Sequence, residues 1–65
     1  MKFNLVYEEG LAIRQYRNLI VWLEHKEIGH RFEWTSTGNY VADIVVIDDE
    51  QDAIYFSLTF KHMSV

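Results

Sequence analysis

The sequence has no cysteine, no proline and only three glycines among its 65 residues. Without cysteine, no disulfide can brace the fold and no thiolate can hold a metal. The same absence fits a reducing compartment, so a cytoplasmic location is expected, a host cytoplasm if the chain is viral. Without proline, element boundaries must be read from glycine and from short polar clusters. No apolar run approaches the roughly 20 residues that a membrane helix needs. Lys2 is followed by a short alternating segment and not by a long apolar stretch, so no secretion signal is expected. Cationic side chains are also scarce: six Lys and Arg stand against ten Asp and Glu, a formal charge of −4. Proteins that grip phosphate backbones usually carry a basic excess, so nucleic-acid binding is disfavoured.

What the chain has is apolar surface. Hydrophobic residues make up 49% and aromatic residues 15% of it, which argues against disorder. The length fits one domain spanning residues 1–65. A domain this small buries only about 60% of its unfolded surface. Some of its apolar residues are therefore expected to meet a second copy or another protein.

Residues 11–28 form the organising stretch, the one long segment with helical periodicity. On a wheel of about 100° per residue, Ala12, Tyr16, Leu19, Ile20 and Leu23 share one arc, with Ile13 on its border. Arg14, Arg17, Asn18, Val21, Glu24 and His25 lie opposite. Leu11 and Trp22 sit on the flank between. Glu8 and Glu9 are expected at the positive end of this helix and His25 and Lys26 at its negative end. Gly29 is the expected left-handed C-cap.

Around that helix the pattern switches to period two. Residues 2–7 alternate, with Phe3, Leu5 and Tyr7 on one face, and predict a strand. Residues 30–37 predict a second strand, with Phe32 and Trp34 on one side. Thr37, Gly38 and Asn39 predict a turn. Residues 40–47 predict a third strand that pairs with the second as a hairpin. On it, Ala42, Ile44 and Val46 would face one way, and Val41, Asp43, Val45 and Ile47 the other. Residues 48–61 fit two readings. As a strand, Ile54, Phe56, Leu58 and Phe60 alternate with their neighbours. As a helix, Ala53, Phe56, Ser57 and Phe60 form a stripe, with Asp48 or Asp49 as N-cap and acids in the first turn. The acidic opening favours the helix.

The expected fold is α+β, in the order β-α-β-β-α; the alternative is β-α-β-β-β. The first order is a truncated ferredoxin-like plan, a three-stranded antiparallel or mixed sheet with helices on one face and no last strand. Its first strand would be an open edge beside the third, and open edges invite pairing.

Residues 45–53, VVIDDEQDA, resemble the junction between a strand and the second helix in RNA-recognition-motif domains. That resemblance implies the same topology. RNA binding in that family needs aromatics on the open face of the first and third strands. The matching positions would be Lys2, Asn4 and Val6, then Asp43 and Val45, so the stacking platform is missing. Residues 52–60, DAIYFSLTF, resemble the C-terminal motif of small uncharacterised proteins encoded by large tailed bacteriophages. That resemblance implies an accessory protein made during infection. Many such proteins bind and redirect a host protein.

Candidate chemistry is sparse. His25 and His30 lie among Glu24 and Glu27, but they straddle Gly29 and do not make a converging ligand set. No metal and no cofactor is expected. Asp48, Asp49, Glu50 and Asp52 lack the spacing of a calcium loop. Helix capping explains them, with a contact to a basic partner as the alternative. Tyr16 is the one apolar-face residue with a titratable group, and Ser36 and Ser57 have no glycine-rich elbow. No catalysis is expected.

The residues left for a partner are Leu11, Arg14, Arg17, Val21, Trp22, Trp34, Tyr40, Asp48, Asp49 and Glu50. Trp, Tyr and Arg concentrate binding energy at interfaces. Trp22 and Trp34 could equally close the edges of a small core. The expectation is a non-catalytic protein-binding module, an occluding modulator or inhibitor of a host protein, with a homodimer as a further expectation. The competing reading is a nucleic-acid-associated regulator that uses Arg14, Arg17 and Arg31.

Overall fold

A computed structural model describes residues 1–63. Its elements are β1 (Lys2–Asn4), α1 (Ala12–His25), β2 (Arg31–Glu33), β3 (Ile44–Val46) and α2 (Glu50–Thr59). The strand order is β1-β3-β2, and both pairings are antiparallel. The small α+β fold and the order β-α-β-β-α follow the sequence pattern. The final segment is a helix, and the acidic residues that open it explain why. The Asp52 N–H donates to Asp49 Oδ1 at 2.9 Å, which caps the helix start.

Both helices pack on one face of the sheet. Phe56 of α2 meets Phe3 of β1 at 5.0 Å between ring centroids. Tyr16 of α1 meets Phe32 of β2 at 5.2 Å. The core is Phe3, Leu5, Leu19, Leu23, Ile28, Val45, Ile47, Ala53 and Phe56. Leu19 and Leu23 are one helical turn apart, so both point inward from α1.

The strands are shorter than the alternation predicts. Residues 34–43 leave the ladder and form a loop. Asp43 is the cause: its Oδ2 accepts from the Thr35 N–H at 2.8 Å and from Thr35 Oγ1 at 2.7 Å. These bonds close the loop just beyond the last backbone bond, in which the Asp43 N–H donates to the Glu33 carbonyl at 3.1 Å. Gly38, at φ +88°, makes the turn at the loop tip.

One face assignment is reversed. Val45 stands opposite both Phe3 and Phe32 and is fully buried, so it points to the helices. Ile44 and Val46 face the other way, with Lys2 and Asn4 beside them on β1 and Arg31 and Glu33 on β2. Three consecutive apolar residues gave the period-two pattern nothing to discriminate on.

The end of α1 also differs from expectation. Glu27, not Gly29, takes the left-handed conformation, at φ 56°. The Ile28 N–H donates to the Leu23 carbonyl and the Glu27 N–H to the Glu24 carbonyl. This is a Schellman closure, and Ile28 and Leu23 supply its apolar contact inside the core. Burial of Ile28 fixes which residue must turn. Gly29 comes two positions too late.

Candidate functional site

The outer face of α1 carries the surface with most to offer a partner. Ile13, Arg17 and Val21 recur at four-residue intervals and form a ridge pointing away from the sheet. Together with Gly10, Leu11, Arg14 and Asn18 they line a shallow groove of about 490 Å³. Ile13 is 59% and Val21 64% exposed, while Leu11 is 37% exposed. Among the described residues, neither Arg14 nor Arg17 has an ion-pair partner. The groove therefore offers apolar side chains and two free guanidinium groups together. Leu11, Arg14, Arg17 and Val21 converge there as one patch. Ile13, Gly10 and Asn18 belong to it as well. Ile13 sits on the border of the apolar stripe in the sequence, and only the packing shows which side it takes.

The groove lies at a weakly capped helix start. Leu11 occupies the N-cap and offers no side-chain acceptor, and no acid lies in the first turn. Glu8 and Glu9 precede the helix, outside its first turn, and the Glu8 N–H donates to Gln15 Oε1 at 2.9 Å, tying the turn down from inside the helix. Arg14 sits in the first turn, where a cation is unfavourable. Its position there is not a stabilising choice for the helix.

Trp22 is not part of the free surface. It is half-buried between the helices, with ring centroids 5.2 Å from Tyr55, 5.0 Å from Phe60 and 6.2 Å from Phe56. The expectation that Trp22 is an interface anchor is corrected: it joins α1 to α2. Trp34 and Tyr40 are exposed in the 34–43 loop, at 50% and 87%. Trp34 lines a second, open depression of about 450 Å³ with Thr35 to Asn39. Tyr40 is not among its lining residues, so the two aromatics form no shared pocket.

The acidic cluster divides by role. Asp49 caps α2, and Glu50 and Asp52 lie in its first turn, near the positive end of the helix. Asp48 is exposed. Capping accounts for three of the four acids.

Arg31 stands apart from Arg14 and Arg17. It lies on the sheet face away from the helices, where Arg31 Nη2 and Lys2 Nζ both donate to Glu33, each at 3.3 Å. These bonds, Lys2 first, hold the Glu33 carboxyl below its ordinary range. Lys2 reaches Glu33 from the far edge strand, so the bridge spans β3 above Ile44 and Val46. The three arginines face opposite sides of the molecule and make no common basic patch. No aromatic side chain stands on the strands' open face.

The titratable groups nearest the core serve structure. Tyr7 donates its hydroxyl to the Ala42 carbonyl at 2.6 Å. Burial, then the charges of Tyr16 and Asp43, push its ionisation well upward. Burial also raises Tyr16, which meets Tyr7 edge-on at 6.5 Å. Both remain neutral phenols at physiological pH. His30 brings Nδ1 within 2.8 Å of the Ile28 carbonyl and packs against Phe32 at 5.1 Å. Among the described residues, no three His, Asp or Glu converge as a metal site. No helix among them is long and apolar enough to cross a membrane.

Compared with family models, curated proteins and solved structures, the chain matches none.

Proposed function

We propose that the chain is a non-catalytic protein-binding module that acts by covering a surface its partner needs. The observation that carries this reading is the α1 groove, where exposed Leu11, Ile13 and Val21 surround the free Arg14 and Arg17. Apolar side chains together with arginine are the composition of an interface centre. The two arginines favour an acidic surface as the complement on that side. The resemblance of residues 52–60 to accessory proteins of large tailed phages supports a host protein as the target and a modulator or inhibitor as the role.

The test pairs capture with a surface variant. Val21→Glu and Arg17→Glu alter exposed positions and leave the core untouched. The doubly substituted chain should fold like the parent by circular dichroism. A partner retained by the parent chain should be lost by the variant. Equal retention by both would remove the α1 groove from the account.

A further inference from the structure

We propose that the outer face of α2 is a self-association surface, on which a second copy of this chain lays its own α2 antiparallel. The inference does not rest on the protein-binding reading above and starts from a different helix.

The first observation is that α2 is apolar on two opposite sides. Ala53 and Phe56 point to the sheet and are fully buried. At 100° per residue, Gln51, Ile54 and Leu58 fall opposite Phe56 and face away from the sheet. Ile54 is 50% and Leu58 69% exposed. Tyr55, 46% exposed, borders them on the α1 side, where it meets Trp22. A helix with apolar residues on opposite sides has the pattern of one covered on both. The hydroxyls on its flanks do not call for water. Ser57 Oγ donates to the Ile54 carbonyl at 2.8 Å, and Thr59 Oγ1 to the Tyr55 carbonyl at 2.9 Å. A cover over Ile54 and Leu58 would therefore strand neither donor.

Charge selects the occupant. Asp48, Asp49 and Glu50 open α2, Lys61 and His62 follow its end, and all five are exposed. The apolar ridge thus lies between an acidic end and a basic end. Such a face complements itself when turned end for end. With Ile54 opposite Leu58 of a second copy, Gln51 stands opposite Lys61 and Glu50 opposite His62, and two-fold symmetry repeats each contact. The acids of each copy then lie beside the basic end of the other. The same arrangement sets the positive end of each helix dipole beside the negative end of its mate. Parallel pairing would instead stack acids on acids. The α1 groove lacks this property. Its charged side chains, Arg14 and Arg17, are both cationic, so a second copy laid on it would oppose arginine to arginine.

Size sets the strength. A helix of 10 residues is about 15 Å long. One face of it covers far less than the roughly 800 Å² per partner of a standard interface. The dimer is therefore weak: it forms as the chain is concentrated and dissociates on dilution.

The test is sedimentation equilibrium of the whole chain from about 10 μM to about 1 mM, the range of weak association. The mean molar mass should rise toward twofold at the upper end. Ile54→Lys sets a cation against Leu58 and near Lys61 of the other copy. It should hold the mass at one chain while circular dichroism stays unchanged. Glu50→Lys and Lys61→Glu should each weaken association about tenfold when alone. An equimolar mixture of the two should restore it, because each then meets its complement. Tyr40→Ser, which alters the exposed aromatic of the 34–43 loop, should change nothing. A parent chain that keeps the mass of one copy throughout would overturn the proposal. So would association that survives Ile54→Lys, or an equal loss from Tyr40→Ser. Charge variants that associate like the parent would overturn the antiparallel arrangement, and with it the proposal.

Discussion

Replacing Glu27 with glycine should stabilise this protein, and replacing Gly29 with alanine should not harm it. Glu27 holds φ 56°, where an L-residue crowds its own Cβ against the following carbonyl. That conformation costs roughly 1–2 kcal/mol for an ordinary residue and almost nothing for glycine. Glycine gives back about 0.5–1 kcal/mol through the extra freedom of its unfolded chain. The net gain for Glu27→Gly is therefore about 0.5–1 kcal/mol. For a domain of this size, that raises the melting temperature by roughly 2–8 °C. Gly29 has no left-handed φ, and nothing lies within 4 Å of where its Cβ would stand. Gly29→Ala should be neutral or gain up to about 1 kcal/mol. Thermal and urea unfolding followed by circular dichroism measure both changes. Loss of stability in Glu27→Gly together with a loss above about 1 kcal/mol in Gly29→Ala would place the cap at Gly29 and refute the Schellman closure.

Three further outcomes follow from the packing. Trp22→Ala should cost about 2–4 kcal/mol, since the half-buried ring joins the two helices. A domain of this length has roughly 3–10 kcal/mol in all, so the loss should be plain in urea unfolding. A variant that keeps its stability would return Trp22 to the free surface. Asp49→Ala removes the cap of α2 and should cost about 1 kcal/mol, while Asp48→Ala should cost almost nothing. Equal effects would mean that Asp49 is not the cap. The third concerns acid. The hydrogen bonds from Thr35 hold the Asp43 carboxyl below its ordinary value of 3.8. A carboxyl lowered in the folded state adds stability above its unfolded pKa and loses it as pH falls through the folded one. The 34–43 loop should stay latched at neutral pH and release below about pH 4. The Thr35 amide shift in NMR should titrate with a midpoint under 3.8, and a midpoint above that value would contradict the latch.

How much of this was legible depended on whether one local signal could act alone. The spacing of Tyr16, Leu19 and Leu23 identified α1, because a 3.6-residue period repeated over several turns has no competitor. The acids at 48–52 outweighed the strand-forming Ile54, Tyr55 and Phe56, because a satisfied N-cap is a specific bond and propensity is only a bias. Where two faces were both apolar, as at Ile44, Val45 and Val46, alternation held no information, and pairing with Phe3 and Phe32 decided the side. The strand ends were hidden for a different reason. The bond from Thr35 to Asp43 links residues eight apart, and nothing in either stretch alone announces it. The candidate site was legible in part. Arg14, Arg17 and Val21 were readable from the wheel, but Ile13 lay on a boundary. Trp22 could be assigned to the core only once α2 stood beside it.

Cross-linking from within the outer ridge of α1 probes the proposed protein-binding surface at the point of contact. A photoreactive amino acid at position 21, with the same group at Asn39 as a control, would be irradiated beside the purified candidate partner. A position-21 product that Arg17→Glu suppresses, with none from position 39, is the expected result. Products of equal yield from both positions, or none from position 21 while the partner is bound, would contradict the account.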